Sequence, residues 1–307
     1  MKTTSDSQRP FGIHSVDHFY IDVPDLAVAQ KFYQDFGLRV EQQADRLVLR
    51  TFQDDHIWAY IGQANKKVLR QVCFGAYQQD IDALKQRVLA ENLTITEHDQ
   101  GFTFQDLDGI AIDIRVATKV TPDSKKPVIC AEAHAGERGA SYRRLTTQVR
   151  PQRLSHILLF TSDLARTIDF YHRTLGLNLS DYSEGIVAFM HAPHGADHHT
   201  VAFAQSTAAG FHHCSWDVAS LEEVGLGAMQ MLAEGWDRGW GVGRHVLGSN
   251  YFYYVRDPWG SYCEYSYDID YIPAGFEWPA ANHDPEDSLY LWGPNVPEDF
   301  VVNYEIN

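Results

Sequence analysis

Two stretches of the chain share one pattern of apolar and polar positions. HFYIDVPDLAVAQKFYQDFGLRV, from His18, and HILLFTSDLARTIDFYHRTLGLNL, from His156, each open with a histidine on a short apolar run. Such a run predicts a buried strand. A polar turn follows, with Asp25 or Asp163 at the position of a helix N-cap. Apolar residues then recur at helical spacing through Phe32-Tyr33 and Phe170-Tyr171, and each helix is predicted to stop at a glycine, Gly37 or Gly176. In both stretches a Leu follows the histidine after seven intervening residues, and the Phe-Tyr pair sits at the same offset beyond it.

The pattern echoes twice more. CSWDVASLEEVGLGAMQMLAEG, after His213, reads as a strand, a Ser-capped turn and a helix closed by glycine, and CFGAYQQDIDALKQRVL, after Val72, follows the same plan. Between these helices lie strand-like runs such as RLVLRTF, IVAFMHA, HTVAFAQ, NYFYYVRD and SYCEYSYDI. The repeating unit is therefore a strand, a helix and about three strands, present four times. This predicts an α+β fold of two domains, each made of two βαβββ modules. Residues 11–118 would form the first domain and residues 153–273 the second. The polar, turn-rich segment 119–152 would connect them. The tail 274–307, rich in Pro and aromatics, is predicted to pack across the second domain.

Composition narrows the partners. At 307 residues with a formal net charge of -16, the surface repels phosphates, so nucleic acid and anionic membranes are poor partners. Cys73, Cys130, Cys214 and Cys263 form no CxxC pair and read as reduced thiols. The start, MKTTSDSQRP, is polar, and no apolar run approaches the ~18 residues that span a bilayer. These features predict a cytoplasmic protein. Fifteen histidines are the more informative count, because histidine binds borderline metals and moves protons near neutral pH.

Repeat register selects among those histidines. His156 and His213 occupy equivalent strand positions, each followed seven residues on by the helix cap, Asp163 or Ser220. Adjacent strand residues point to opposite faces, so His213 rather than His212 is expected to face the pocket. Glu264 lies in the strand leaving the turn Asp257-Pro258-Trp259-Gly260. Tyr262 and Ser266 should share its face, with Cys263 and Tyr265 on the other, so the carboxylate has no local cation. A buried carboxylate needs one, and a metal would serve. Two imidazoles and one carboxylate on a common face, leaving coordination positions open, form the facial triad of non-haem iron oxygenases.

The segment from Leu154 to Asp270 resembles the type I extradiol dioxygenases of the vicinal oxygen chelate superfamily. The resemblance is carried by Gly243-Arg244-His245, then Tyr254, then Asp257-Pro258-x-Gly260-x-x-x-Glu264. It implies a vicinal oxygen chelate (glyoxalase-like) fold and a metal centre of His156, His213 and Glu264 binding Fe(II), with Mn(II) as the alternative. It implies acid–base work by His199, whose neighbour His198 is the other possibility, and hydrogen bonds to the substrate from His245 and Tyr254. The substrates implied are a small aromatic diol and O2, and the assembly a homo-oligomer. Val246-Leu247-Gly248 after His245 favours a substituted one-ring catechol over a two-ring diol such as 2,3-dihydroxybiphenyl. A glyoxalase-like isomerase or a ligand-binding protein of the same superfamily are the rival readings. The first domain departs from the metal pattern: His18 is present, Asp113 stands for the glutamate, and no histidine lies near Gln71, so that domain is expected to be structural. Phe189, Phe252 and Trp292 are the aromatics expected to line the pocket.

Overall fold

The computed structural model describes residues 10–128 and 133–306. Cys130 and most of the polar start lie outside them. The first half runs β1 (Ile13–Val23), α1 (Leu26–Asp35), β2 (Arg39–Gln43), β3 (Arg46–Arg50), β4 (Ala59–Gln63), β5 (Val68–Ala76), α2 (Ile81–Ala90), β6 (Ile95–His98), β7 (Gly101–Gln105) and β8 (Ala111–Val116). The second half repeats this plan. It runs β9 (Arg153–Thr161), α3 (Leu164–Leu175), β10 (Asn178–Ser183), β11 (Val187–His191), β12 (Ala196–Asp197), β13 (Val201–Gln205), β14 (Gly210–Asp217), α4 (Leu221–Ala233), β15 (Gly239–Arg244), β16 (Tyr251–Arg256), β17 (Tyr262–Tyr267) and β18 (Tyr271–Ile272). This is four βαβββ modules, with the short β12–β18 pair as a separate two-stranded sheet.

Local chemistry sets the helix limits. The Asp25 carboxylate accepts from the amides of Ala27 and Val28, Asp163 from Arg166, and the Ser220 hydroxyl from Glu223. α3 ends on Gly176, in the left-handed region at φ 73°, where a side chain would be strained.

Each half forms one eight-stranded sheet, ordered β2-β3-β4-β1-β5-β8-β7-β6 and β10-β11-β13-β9-β14-β17-β16-β15. In each, the opening strands of the two modules lie antiparallel at the centre, and each runs parallel to its own module's last strand. The modules are therefore related in space as they are in sequence. His18, Cys73 and Asp113 share one line across the first sheet, as His156, Ser215 and Glu264 do across the second.

The two sheets share a continuous apolar core. Phe36, at the end of α1, stacks on Tyr265 of β17 at 4.0 Å, and the Tyr265 hydroxyl donates to the Phe36 carbonyl. Phe19 stacks on Phe211 in the same way. Cys214, Trp216, Cys263 and Tyr265 point into this core. Alternation along β14 and β17 therefore sends His213, Glu264 and Ser266 to the opposite, concave face of the second sheet. Cys73, Cys214 and Cys263 are free and buried.

The tail runs over that concave face. Trp278, Ala281 and His283 bond to Asp181 of β10, Trp292 bridges to Arg244, and Phe300 packs with Trp240, Phe252, Tyr254 and Tyr262. Near its end, the Glu305 carboxylate accepts from the amides of Leu69 and Phe211, one in each half, and lies 3.5 Å from the buried ammonium of Lys67.

Truncating Phe36 to Ala removes a fully buried ring from the seam between the halves. The expected loss is about 3–5 kcal/mol of stability, read as a lower urea midpoint at an unchanged slope.

Candidate metal centre

β9, β14 and β17 are neighbours, and Ser215 is paired with His156 on one side and Glu264 on the other. This brings His156, His213 and Glu264 together with their donor atoms within 4.8 Å of one another. Glu264 Oε2 lies 3.4 Å from His156 Nε2 and 3.8 Å from His213 Nε2. All three side chains are buried.

Glu264 Oε2 and His213 Nε2 have no hydrogen-bond partner, although neither is exposed. An uncompensated buried carboxylate oxygen is costly. Burial alone would raise the Glu264 pKa, and holding it below the ordinary carboxylate range requires positive charge or N–H donors beside it. An ionised oxygen facing imidazole nitrogens is a donor set that a divalent cation completes. The other oxygen, Oε1, accepts from Asn250 Nδ2 at 3.0 Å, so Oε2 is left for the cation. Asn250 also donates to Ser266.

The imidazoles are aimed by the partners of their other nitrogens. His212 Nε2 donates to the Phe300 carbonyl at 2.7 Å, because a carbonyl can only accept. Burial pushes His212 down to about 4, so it is neutral and its Nδ1 is an acceptor. His213 Nδ1, 2.7 Å away, must therefore carry a proton and donate to it, which leaves His213 Nε2 a bare lone pair. His156 is set the same way. The Ser155 hydroxyl donates to Asp197, itself paired with Arg153, so Ser155 Oγ accepts from His156 Nδ1 and frees Nε2.

His212 does not turn away as strict alternation predicts. β14 carries a register shift between Phe211 and His213, so His212 is an extra residue and borders the same pocket.

His199 lies beside the triad, its ring centroid 3.9 Å from that of His156. Burial, reinforced by the surrounding imidazoles, pushes its pKa well below the ordinary histidine value, so it is neutral. His198 instead bonds to Asp181. His245 Nδ1 donates to the Leu289 carbonyl, and its Nε2 lies 3.0 Å from the Tyr254 hydroxyl. Burial, with the nearby Glu264, raises the Tyr254 pKa well above its usual value and keeps it protonated.

These groups open on a void of about 650 Å³, mouth included, walled by Leu158, Val187, Phe189, Leu247, Leu289 and Val301. Phe189 lines it. Phe252 does not: it is fully buried and stacks under His245 at 4.1 Å. Trp292 is 46 % exposed, held away from the void by its pairing with Arg244. Asn250 is the polar residue that motif spacing did not pick out. Its signal is a lone amide just before an aromatic strand.

Residues 153–265 match the family described as the Glyoxalase/Bleomycin resistance protein/Dioxygenase superfamily. Metapyrocatechase 2 of Cupriavidus necator is 46% identical over 310 residues, covering 99% of this chain and 97% of that protein. The chain belongs to the extradiol dioxygenases of this superfamily. The fold agrees. Homoprotocatechuate 2,3-dioxygenase from Arthrobacter globiformis superposes with a TM-score of 0.75 at 20% identity, over 99% of this chain and 95% of that one. The Mn(II)-bound glyoxalase from Novosphingobium aromaticivorans does so with a TM-score of 0.75 at 21% identity, over 94% of each chain.

In this dioxygenase the first half has a second cluster, Asp17, His18 and Cys73, at the equivalent place. There His18 bonds Asp17 at 2.6 Å, and Asp113, in the position of Glu264, is paired with Arg115 and His98. Asp113 thus has the Arg115 guanidinium beside it, a cation that Glu264 lacks.

Replacing Asn250 by Ala should free Oε1 of Glu264 and weaken metal binding by about 10–100-fold. Competition titration against a chromophoric chelator measures this, with the fold retained by circular dichroism.

Proposed function

We propose that this enzyme cleaves an uncharged, substituted one-ring catechol beside its diol, with a ferrous ion held by His156, His213 and Glu264. The observation that carries the reading is the pair of unpartnered atoms, Glu264 Oε2 and His213 Nε2, 3.8 Å apart, with His213 lining a largely apolar pocket. The ion, when bound, would acidify the diol and allow electron exchange between it and O2. Mn(II) suits the same oxygen and nitrogen donors.

The protein's own groups account for the remaining steps. A catechol entering the pocket meets Leu158, Phe189 and Leu247 along its ring, so apolar contact excludes water there. His199 is neutral and takes one diol proton, returning it later to the departing oxygen. The Tyr254 hydroxyl, already polarised toward His245, can turn its proton to the second diol oxygen. Both atoms of O2 end in the product, so catechol and O2 together balance a ring-opened semialdehyde acid without any further reductant.

The wall of the void also bears on substrate charge. Among the described residues that line it there is no Lys or Arg. A catechol bearing a carboxylate would lose its hydration without gaining a cation, which favours alkyl- or halogen-substituted rings. Cys214 and Cys263 lie with their sulfurs 3.5 Å apart and unbonded, in keeping with a reducing, cytoplasmic setting.

Anaerobic loading with Fe(II), followed by 4-methylcatechol, should give oxygen uptake and a yellow ring-opened product; a catechol bearing a carboxylate should be turned over far more slowly. His213→Ala should lose the metal. His199→Ala should keep the metal and lose about 10²–10⁴-fold in kcat. Full activity in His199→Ala would remove the acid–base assignment, and no uptake with any catechol would remove the reading as a whole.

A further inference from the structure

The ring-cleavage reading uses His199 but not the group that holds it. His199 Nδ1 lies 3.1 Å from His198 Nδ1. His198 Nε2 lies 2.9 Å from Asp181 Oδ2. Asp181 accepts only N–H donors: His198, Trp278 Nε1 at 3.1 Å, the Ala281 amide at 3.2 Å and His283 Nε2 at 2.7 Å. Three of those four come from the tail. Burial opposes ionisation of Asp181, but the bonds from His198, His283 and Trp278 outweigh it and lower its pKa.

The consequence is a chain of forced choices. A carboxylate with four N–H donors is an acceptor, so His198 carries its proton on Nε2. In a neutral His198 the Nδ1 is then a lone pair. His199 must donate to it from Nδ1, which leaves His199 Nε2 bare for the substrate. We propose that His198 and Asp181 are positioning residues for the ring-cleavage reaction, that they fix the tautomer and ring direction of His199, and that the tail takes part by holding Asp181 through Trp278, Ala281 and His283. The proposal rests on the reading of His199 as the acid–base group. It also gives the tail a function: residues about 100 positions downstream of Asp181 set the protonation pattern of a pocket residue.

The construction repeats at the metal. His212, held through Nε2 by the Phe300 carbonyl of the same tail, fixes His213. In each adjacent histidine pair the first member is held from outside, His212 by a tail carbonyl directly and His198 through Asp181, which the tail holds.

Two measurements test this. Histidine-selective ¹⁵N labelling of the metal-free protein reads each ring's tautomer without requiring turnover. His198 should be protonated on Nε2 and His199 on Nδ1; His199 protonated on Nε2 would overturn the proposal. In the Fe(II)-loaded enzyme, His198→Leu removes the acceptor and should lower kcat by about tenfold or more, with KM for the catechol and metal content within about twofold of the parent. His198→Asn, whose Oδ1 can take the place of Nδ1 and accept from His199, should recover most of that loss. A folded His198→Leu enzyme with the parent's kcat would overturn the proposal. If His198→Leu does not fold, the tautomers of the parent protein decide. A parent that turns over no catechol defeats the ring-cleavage reading instead, and the metal-free tautomers still decide the network.

Discussion

One carboxylate oxygen organises the second half of this molecule. Glu264 Oε2 is buried and without a hydrogen-bond partner, and it faces the Nε2 atoms of His156 and His213. In a protein interior such an arrangement is costly unless a cation enters it. The first half shows the other solution to the same problem. There the equivalent carboxylate, Asp113, is paired with Arg115 and hydrogen-bonded to His98. Two copies of one fold thus differ in whether a protein cation stands beside the central carboxylate.

The centre is set from outside inward. Asn250 takes one oxygen of Glu264, Ser155 and Asp197 orient His156, His212 orients His213, and His198 stands behind His199. For His213 the outer contact places a proton on Nδ1 and bares Nε2. The donors are thereby arranged before any ligand binds, on central strands rather than on loops, which limits the reorganisation the reaction must drive. The apolar wall of Leu158, Phe189 and Leu247 supports the same end by excluding water that would otherwise compete for the open positions.

The parts of this arrangement that were legible in the sequence are those with local or periodic causes. The repeat of His156 on His18, the caps at Asp25, Asp163 and Ser220, and the alternation that separates Glu264 from Cys263 and Tyr265 all follow from spacing. What stayed hidden depends on register and on distant chain. The shift in β14 that keeps His212 at the pocket is a property of pairing with β9, and strict alternation assigns it to the other face. The tail's hold on Asp181 joins residues about 100 positions apart, with no period to announce it. Phe252 and Trp292 show the limit of composition: both are aromatic and near the site, yet one is buried under His245 and the other sits at the surface.

The most direct test is a crystal structure of the protein loaded anaerobically with Fe(II) and soaked with a catechol. The account predicts a single ion bonded to His156 Nε2, His213 Nε2 and Glu264 Oε2, with both diol oxygens completing its coordination and no fourth protein ligand. An ion found elsewhere, or one closed off by an additional side chain, would contradict it.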